Sequence, residues 1–563
     1  MSDSEERDDE PAQASPQNGH RAPGAVAPGK QASSSGLWIA IAAGALAVLA
    51  GGGLAAYKLL AREPISATPC GKGALHLIGD LKAPVTVTLY ATKGAPKVER
   101  FVEQVGVMMR DLEASSKGKL VYEVVTVTTD DQRSQAKEAG LQEVTFGEAG
   151  KDGASAMVTR GLCGFALKYG SEREVIPVVE PDQAPGLPFW IVEKVRELRG
   201  RADNVVQRFG VISGKGEIKL SEANLIASQP GRAAGPNMKG ILAQALPFYA
   251  IDEVDLRGGD QEIDASLSGL LVTQPGADYT DKELRRIDQF LMRGGKSVVV
   301  LASAVNSKLA DAKMMGELDR HGLDRLLTGY GVEMANDVLF DWDSSVVVPT
   351  ATTSGERTVL RAPGVIVAEH DDKAAEQVQR LDSTFVPFFR MDQVAFPFAS
   401  SLVAHPERQP DARFVTAART TAKTTSETTS PISLYPTMKV EPHGEQRQRV
   451  IALAVEGKLR SAFAGAAQGN AAAPESSRLL VISSAQFLAN PLARAGNAAP
   501  APELAMLGMP AGDEDLQMLA QPYAQKYLTA TILAFKNTLD WASADDATVS
   551  CSALLIGPKD QEK

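Results

Sequence analysis

Residues 280–301 read TDKELRRIDQFLMRGGKSVVVL, and this stretch decides the fold class. Thr280 and Glu283 have the spacing of a helix capping box. An apolar stripe at helical spacing follows, made of Leu284, Ile287 and Leu291. The glycines at 294 and 295 are typical of a helix end, and the apolar run 297–301 is typical of a buried strand. A capped amphipathic helix that leads into a buried strand predicts an α/β sheet.

The same alternation continues on both sides of this stretch. The patterns predict strands at 206–212, 253–256, 270–273 and 479–483, with helices at 237–246 and 523–541. We therefore expect a doubly wound, mostly parallel α/β domain over residues 205–545. Residues 345–475 have no such alternation, so we expect a long irregular insertion there. Its Thr- and Ser-rich part, 416–433, is interpreted as an exposed loop or edge insertion rather than core.

Residues 75–202 predict a separate, smaller α/β domain. Strand, helix, strand, hairpin and helix patterns follow one another, which is the order of a thioredoxin-like domain. A redox-active member would need Cys-x-x-Cys in the first turn, but residues 91–96 read ATKGAP. Disulfide exchange is therefore excluded, and a binding or purely structural use of this fold remains.

The segment from Leu37 to Tyr57 contains no charged residue and predicts a membrane anchor. As a helix it would be about 31 Å long, which matches a hydrocarbon core of about 30 Å. We assign residues 37–60 to an uncleaved transmembrane helix, because the apolar core is long for a signal peptide and begins far into the chain. Residues 1–36 are polar and predict a disordered tail, and residues 546–563 form a second tail. The flanking positive charges leave the orientation open.

Composition restricts the partners and the chemistry. The formal net charge is −11 and no basic cluster is present, which argues against nucleic-acid binding. Cys70, Cys163 and Cys551 are far apart and odd in number, so no disulfide framework is expected. We interpret Cys163 as a small apolar packing residue.

Two glycine–lysine motifs are candidate binding loops. Gly295-Lys296-Ser297 resembles the end of a phosphate-binding loop, but a helix precedes it and a strand follows, which is the reverse of the required order. We interpret it as a helix end. Gly214, Lys215, Gly216 and Glu217 follow the first strand of the larger domain, where α/β sheets usually bind ligands. These four residues are the candidate ligand-binding loop, with a plain turn as the alternative.

No catalytic constellation is recognisable in the sequence. The six histidines lack metal-ligand spacing, and no nucleophile elbow is present. The sequence therefore predicts a protein that is not an enzyme and has no cofactor or metal ion.

Several segments together resemble the GldG-like family, the auxiliary proteins of gliding-motility and related uncharacterised ABC transport systems. The resemblance rests on 80–87 (DLKAPVTV), 209–217 (FGVISGKGE), 278–297, 455–463 (VEGKLRSAF) and 537–541 (NTLDW). It covers about residues 75–545, and its motifs are structural rather than catalytic.

The resemblance implies a non-enzymatic accessory subunit that works with a membrane permease and an ATP-binding subunit. It also implies a single-pass protein of the bacterial inner membrane, with the bulk of the chain in the periplasm. Two alternatives remain open. One is a membrane-tethered binding protein for an envelope glycan or peptide that uses residues 214–217. The other is an amidotransferase-like hydrolase, which rests on fold analogy alone.

Overall fold

The structure is a computed structural model of the 563-residue chain. It describes residues 75–149, 156–181, 187–226, 236–309, 311, 313–351, 357–375, 377–437, 441–463, 470–493 and 513–544. The predicted anchor at 37–60 and the two predicted tails lie outside these ranges. Within them, none of the helices combines the length and apolar character that a membrane span requires.

The N-terminal part is a five-stranded mixed sheet with helices packed against it. Its strand order is β2-β1-β4-β3, and β5 pairs with the second half of the long strand β4. β1 and β2 are parallel, whereas β4 is antiparallel to β1, β3 and β5. The elements are β1 (Val85–Thr92), α1 (Pro96–Ser115), β2 (Leu120–Val127), α2 (Asp130–Glu138), β3 (Glu143–Ala149), β4 (Ala156–Tyr169), β5 (Glu172–Ile176) and α3 (Leu187–Asp203).

The C-terminal part is built on a nine-stranded sheet that begins with alternating strands and helices. Its parallel strands lie in the order β7-β6-β8-β9-β22. The elements of this half are β6 (Gln207–Ser213), α4 (Met238–Ala245), β7 (Tyr249–Asp255), β8 (Gly269–Thr273), α5 (Asp281–Leu291), β9 (Ser297–Leu301), β22 (Ser477–Ile482) and α7 (Asp513–Ala542). The predicted mixed α/β class is confirmed, and the capping box of Thr280 and Glu283 forms as predicted.

The prediction of an irregular insertion at 345–475 was wrong. This segment contains eight strands in its described residues, and three of them extend the central sheet beyond β22 in antiparallel order. β21 pairs with β22, and both β17 and β18 pair with β21. The elements between β9 and β22 are β10 (Val305–Asn306), β11 (Met315–Leu318), α6 (Leu323–Gly329), β12 (Val332–Met334), β13 (Val338–Asp341), β14 (Ser345–Ala351), β15 (Arg357–Glu369), β16 (Gln393–Pro397), β17 (Leu402–Ala404), β18 (Ala412–Arg419), β19 (Thr424–Glu427), β20 (Ile432–Ser433) and β21 (Val450–Gly457).

The Thr-rich stretch 416–433 was predicted to be an exposed loop or an edge insertion rather than core. Its residues 427–431 are exposed, but several threonines before them are buried, so the exposed loop was wrong for that part. Thr420 and Thr424 are completely or almost completely buried. The carboxylate of Asp341 accepts hydrogen bonds from the backbone N–H and the hydroxyl of Thr421, both at 2.7 Å. A threonine-rich strand can be buried when partners elsewhere in the chain satisfy its hydroxyl groups, and composition alone does not show those partners.

The central sheet has a hydrophobic core on each face. On β9, Val298 and Val300 face one core, with α5 and α6, whereas Val299 and Leu301 face the other. The second core continues without a break through α4 and α7 into α3 and the N-terminal sheet. The two parts of the chain therefore share one hydrophobic core.

A buried charge network joins α3 to α7 inside this shared core. Lys536 Nζ lies 3.0 Å from Glu193 Oε1 and 2.8 Å from Asp540 Oδ2, and Arg196 Nη1 lies 2.7 Å from Asp540 Oδ1. The Tyr249 hydroxyl donates to the same Asp540 carboxylate. All five residues are buried. Buried charges are tolerated only when they are paired, so this network fixes how the two helices pack.

Candidate functional site

The predicted loop 214–217 lies at the carboxyl end of β6, as expected. Gly214 and Gly216 have φ angles of +106° and +70°, a region that favours glycine. A Cβ atom on Gly214 would lie 2.8 Å from Asp255 Oδ1. The backbone conformation at Gly214 therefore favours glycine, and a larger residue would also displace the Asp255 carboxylate.

Glu217 is buried and supports the loop from inside. Its Oε1 accepts a hydrogen bond from the Tyr279 hydroxyl, and its Oε2 accepts one from the Lys215 backbone N–H, both at 2.7 Å. Burial, and then the neighbouring Glu217 charge, raise the pKa of Tyr279 well above its ordinary value. The phenol therefore stays protonated and donates to the carboxylate, and Glu217 fixes the loop to the segment that follows β8.

Lys215 is directed at helix α5. Its Nζ lies 3.1 Å from Glu283 Oε2, the carboxylate that also caps α5 through the Thr280 backbone N–H. Partial burial acts to raise the pKa of Glu283, but the hydrogen bonds from Thr280 and Lys215 outweigh it and hold the pKa below its ordinary value. Lys215 therefore belongs to the start of α5, and it is the one member of the predicted loop that does not line the adjoining cavity.

A cavity of about 210 Å³ lies between the ends of β6 and β7 and helix α4. Gly214, Gly216 and Glu217 contribute to its wall, so three of the four predicted residues are brought together here. Most of the remaining wall is apolar, and exposed charges of both signs lie around it. The lining residues that the sequence did not single out include Val211, Leu220, Lys219, Lys239, Leu242, Tyr249, Ile251 and Glu253. The pattern of α4 predicts a helix but carries no signal that Lys239 faces a cavity.

A polar network occupies the same edge of the sheet, beyond β8 and β9. The Gln274 amide donates to Ser303 O and to Asn306 Oδ1, and His321 Nε2 lies 3.1 Å from that same Oδ1. The Tyr279 N–H donates to His321 O, which connects this network to the 214–217 loop. The parallel strand order β7-β6-β8-β9-β22 reverses between β6 and β8, where ligands typically bind in open α/β sheets.

The phosphate-loop-like motif ends a helix, as predicted. Gly294 and Gly295 adopt positive φ angles between α5 and β9. Lys296 Nζ donates to the carbonyl oxygens of Ala265 and Leu267, both at 2.8 Å. This lysine therefore ties the loop before β8 to the loop before β9, at the amino ends of these strands.

Cys163 is a buried packing residue, as predicted. It is a free thiol with no exposed surface, and burial raises its pKa to about 12. A nucleophilic cysteine needs a lowered pKa and access to substrate, so this thiol does not have the properties of a nucleophile. Cys70 and Cys551 lie outside the described residues.

Comparison with known families identifies the class of protein. A family model described as "ABC-type uncharacterized transport system" matches residues 207–506, just over half of the chain. The chain belongs to this family of auxiliary proteins, and its role is an accessory one in ABC transport. A second model, a domain of unknown function, matches residues 71–164.

Individual known proteins add little to this assignment. A search of the curated proteins gives no match. Among solved structures, exo-beta-1,4-mannosidase Op5Man5 from Opitutaceae bacterium strain TAV5 aligns with a TM-score of 0.19 and 10% identity, over 76% of this chain and 50% of the mannosidase chain. The chain thus spans about half the length of that enzyme, and a similarity this weak carries no argument about fold or activity.

Proposed function

We propose that the chain is a non-enzymatic, extracytoplasmic accessory subunit of a bacterial ABC transport complex of the gliding-motility type. In this proposal, residues 37–60 anchor it in the inner membrane and the two α/β parts stand in the periplasm. There they couple a permease and an ATP-binding subunit to an envelope protein or glycan. The family match over residues 207–506 is the observation that carries the proposal.

The strand order of the N-terminal sheet supports an adaptor role for that part. The order β2-β1-β4-β5, with β1 and β2 parallel, is the arrangement expected of a thioredoxin-like module. The turn after β1 contains no cysteine, so such a module would serve for binding or structure.

Copurification tests the partners. The tagged full-length chain, extracted from native membranes in mild detergent, should bring down a permease and an ATP-binding subunit. Repeating the purification with residues 37–60 replaced by an unrelated transmembrane helix separates specific association from shared membrane residence. Recovery of the chain alone, in both forms, would refute the proposed coupling to a permease and an ATP-binding subunit.

Location is tested separately. The chain should stay in the membrane pellet after a carbonate wash, and external protease should digest the two α/β parts in spheroplasts while a cytoplasmic marker stays intact. Release by carbonate would refute the anchor, and protection in spheroplasts would refute the periplasmic orientation.

The cavity supports a second candidate function, a tethered binding protein. Its walls are largely apolar, and exposed Lys239, Lys219 and Glu253 lie around it. Apolar walls with charges of both signs suit a short peptide better than a glycan, because a peptide carries both apolar side chains and charged termini.

Replacing Lys219 and Lys239 with Glu should abolish binding of short peptides in a thermal-shift screen. Lys168→Glu, at an exposed position on β4, is the matched control. If neither peptides nor oligosaccharides raise the thermal midpoint of the wild type, this second candidate function is refuted.

A further inference from the structure

Two carboxylates converge on one ring nitrogen of His321. Asp278 Oδ1 lies 2.9 Å and Asp319 Oδ2 lies 3.8 Å from His321 Nδ1. One atom from each residue can be chosen so that all three lie within 4.8 Å of one another. Asp278 follows β8, whereas the other two residues lie between β11 and α6. No sequence pattern indicates this cluster, because Asp278 and His321 are 43 residues apart.

The other ring nitrogen is held by the side chain of Asn306. His321 Nε2 faces Asn306 Oδ1. That amide is oriented unambiguously, because its Nδ2 donates to the carbonyl oxygens of Ala304 and Asp319. Oδ1 is therefore an acceptor and Nε2–H is the donor. Nδ1 is therefore the ring nitrogen that faces the two carboxylates, with Asp278 Oδ1 at 2.9 Å and Asp319 Oδ2 at 3.8 Å.

The two carboxylates are largely exposed, whereas the ring between them is largely buried. Asp319 Oδ1 accepts the His321 backbone N–H at 2.8 Å, which leaves Oδ2 turned toward the ring. The His321 side chain is 12% exposed, whereas those of Asp278 and Asp319 are 75% and 58% exposed. The ring is thus held in place by the protein, and the carboxylates can adjust to an incoming ion.

Two other histidines near carboxylates show what distinguishes this cluster. His405 also faces two carboxylates, but Glu333 lies at its Nε2 and Glu407 at its Nδ1. His370 has the carbonyl of Leu381 on one nitrogen and Asp372 on the other. Only at His321, among the described histidines, do two carboxylates meet at one nitrogen while a fixed amide oxygen holds the other.

We propose that His321 Nδ1, Asp278 and Asp319 bind a divalent transition-metal ion of the Zn²⁺ type, with water completing its coordination. One imidazole and two carboxylates are suitable ligands for such ions, whereas Mg²⁺ and Ca²⁺ prefer all-oxygen sites. A metal-bound histidine typically donates its second N–H to an oxygen acceptor, which is the part that Asn306 plays. The ion would join the loop after β8 to the loop before α6. It would lie at the edge of the sheet that carries residues 214–217.

Titration of the purified full-length chain tests this site. After removal of metals with a chelator, Zn²⁺ binding is followed by calorimetry and Co²⁺ binding by its visible absorption. We expect one saturable site per chain. Asp278→Asn changes an exposed side chain and should weaken binding by about tenfold or more, and His321→Ala should abolish it. Asn306→Leu, which leaves all three ligands in place, should weaken binding by about 10–100-fold.

His405→Ala is the matched control and should bind Zn²⁺ as the wild type does. Thermal unfolding of each variant without metal separates loss of the site from loss of the fold. Three results would overturn the proposal: no saturable binding to the wild type, equal affinity in Asp278→Asn, or binding of Ca²⁺ as tight as that of Zn²⁺. The copurification experiment is independent of this outcome, so failure of one does not decide the other.

Discussion

Replacing Lys536 with Met should lower the free energy of unfolding, because Lys536 lies in the buried charge network between the two halves of the protein. Lys536 Nζ lies between Glu193 and Asp540, and all three side chains are at most 2% exposed. Methionine keeps most of the volume of the side chain but removes its charge, which leaves two buried carboxylates with one cationic partner fewer. Breaking a buried ion pair from one side typically costs about 3–5 kcal/mol.

The effect is measurable as a shift in the thermal midpoint. Taking ~2 °C per kcal/mol for a large domain, Lys536→Met should lower the midpoint by about 6–10 °C in calorimetry. Lys526→Met is the matched control, because Lys526 is exposed on the same helix and the substitution is the same. We expect the control to change stability by no more than about 0.5 kcal/mol. Equal shifts in the two variants would refute the reasoning.

The pH dependence of stability provides a second test of the same charge network. Burial acts to raise the pKa of Asp540, but Arg196 and Lys536 outweigh it and hold the pKa below its ordinary value of 3.8. A lowered pKa contributes stability above the unfolded-state value, and this contribution is lost as pH falls through the folded-state value. The wild type should therefore lose this stabilisation only below about pH 4. In Lys536→Met the loss of stability should begin at a higher pH, and identical plots of stability against pH for the two proteins would contradict the role of Lys536.

Adding Glu193→Gln to that variant should restore part of the thermal midpoint, because it removes an uncompensated buried charge.

The remaining predictions concern the candidate site and Cys163. Gly214→Ala should cost more stability than Gly216→Ala in denaturant midpoints, because both need positive φ, at about 1–2 kcal/mol, but only Gly214 also meets a carboxylate at 2.8 Å. Tyr279→Phe should cost about 1.5–3 kcal/mol in the same assay, because it removes a hydrogen bond to the buried, charged Glu217. With the other two cysteines replaced by serine, Cys163 should react with a thiol reagent only in denaturant; rapid labelling of the folded chain would show that the thiol is accessible.

Local patterns predict the parallel half of the central sheet well. β9 lies at the predicted residues, and α5 begins at its capping box, because short-range hydrogen bonds and apolar runs determine these elements. The antiparallel extension has no such local signal, because its strands find partners far along the chain. The Thr and Ser content of residues 416–433 predicts a loop, yet this stretch contains the end of β18, which pairs with β21, and all of β19, which pairs with β13.

The candidate site is predictable in position but not in composition. The position of residues 214–217 follows from one strand and one turn, both of which are local. The partners of this loop come from elsewhere: Tyr279 from the segment after β8, Lys239 from α4, and His321 from the loop before α6. Only the fold brings these residues together, and the sequence contains no spacing that relates them.

The contact between α3 and α7 also determines when the N-terminal part can finish folding. Arg196 and its partner Asp540 are 344 residues apart in the chain. At about 5–20 residues per second, a ribosome needs about 20–70 s to make that interval. During this time, the newly synthesised α3 lacks the counter-charges and the apolar contacts that α7 later supplies. A truncated chain that stops before residue 513 leaves α3 in that state permanently, so expression of the N-terminal part alone should give an aggregation-prone product.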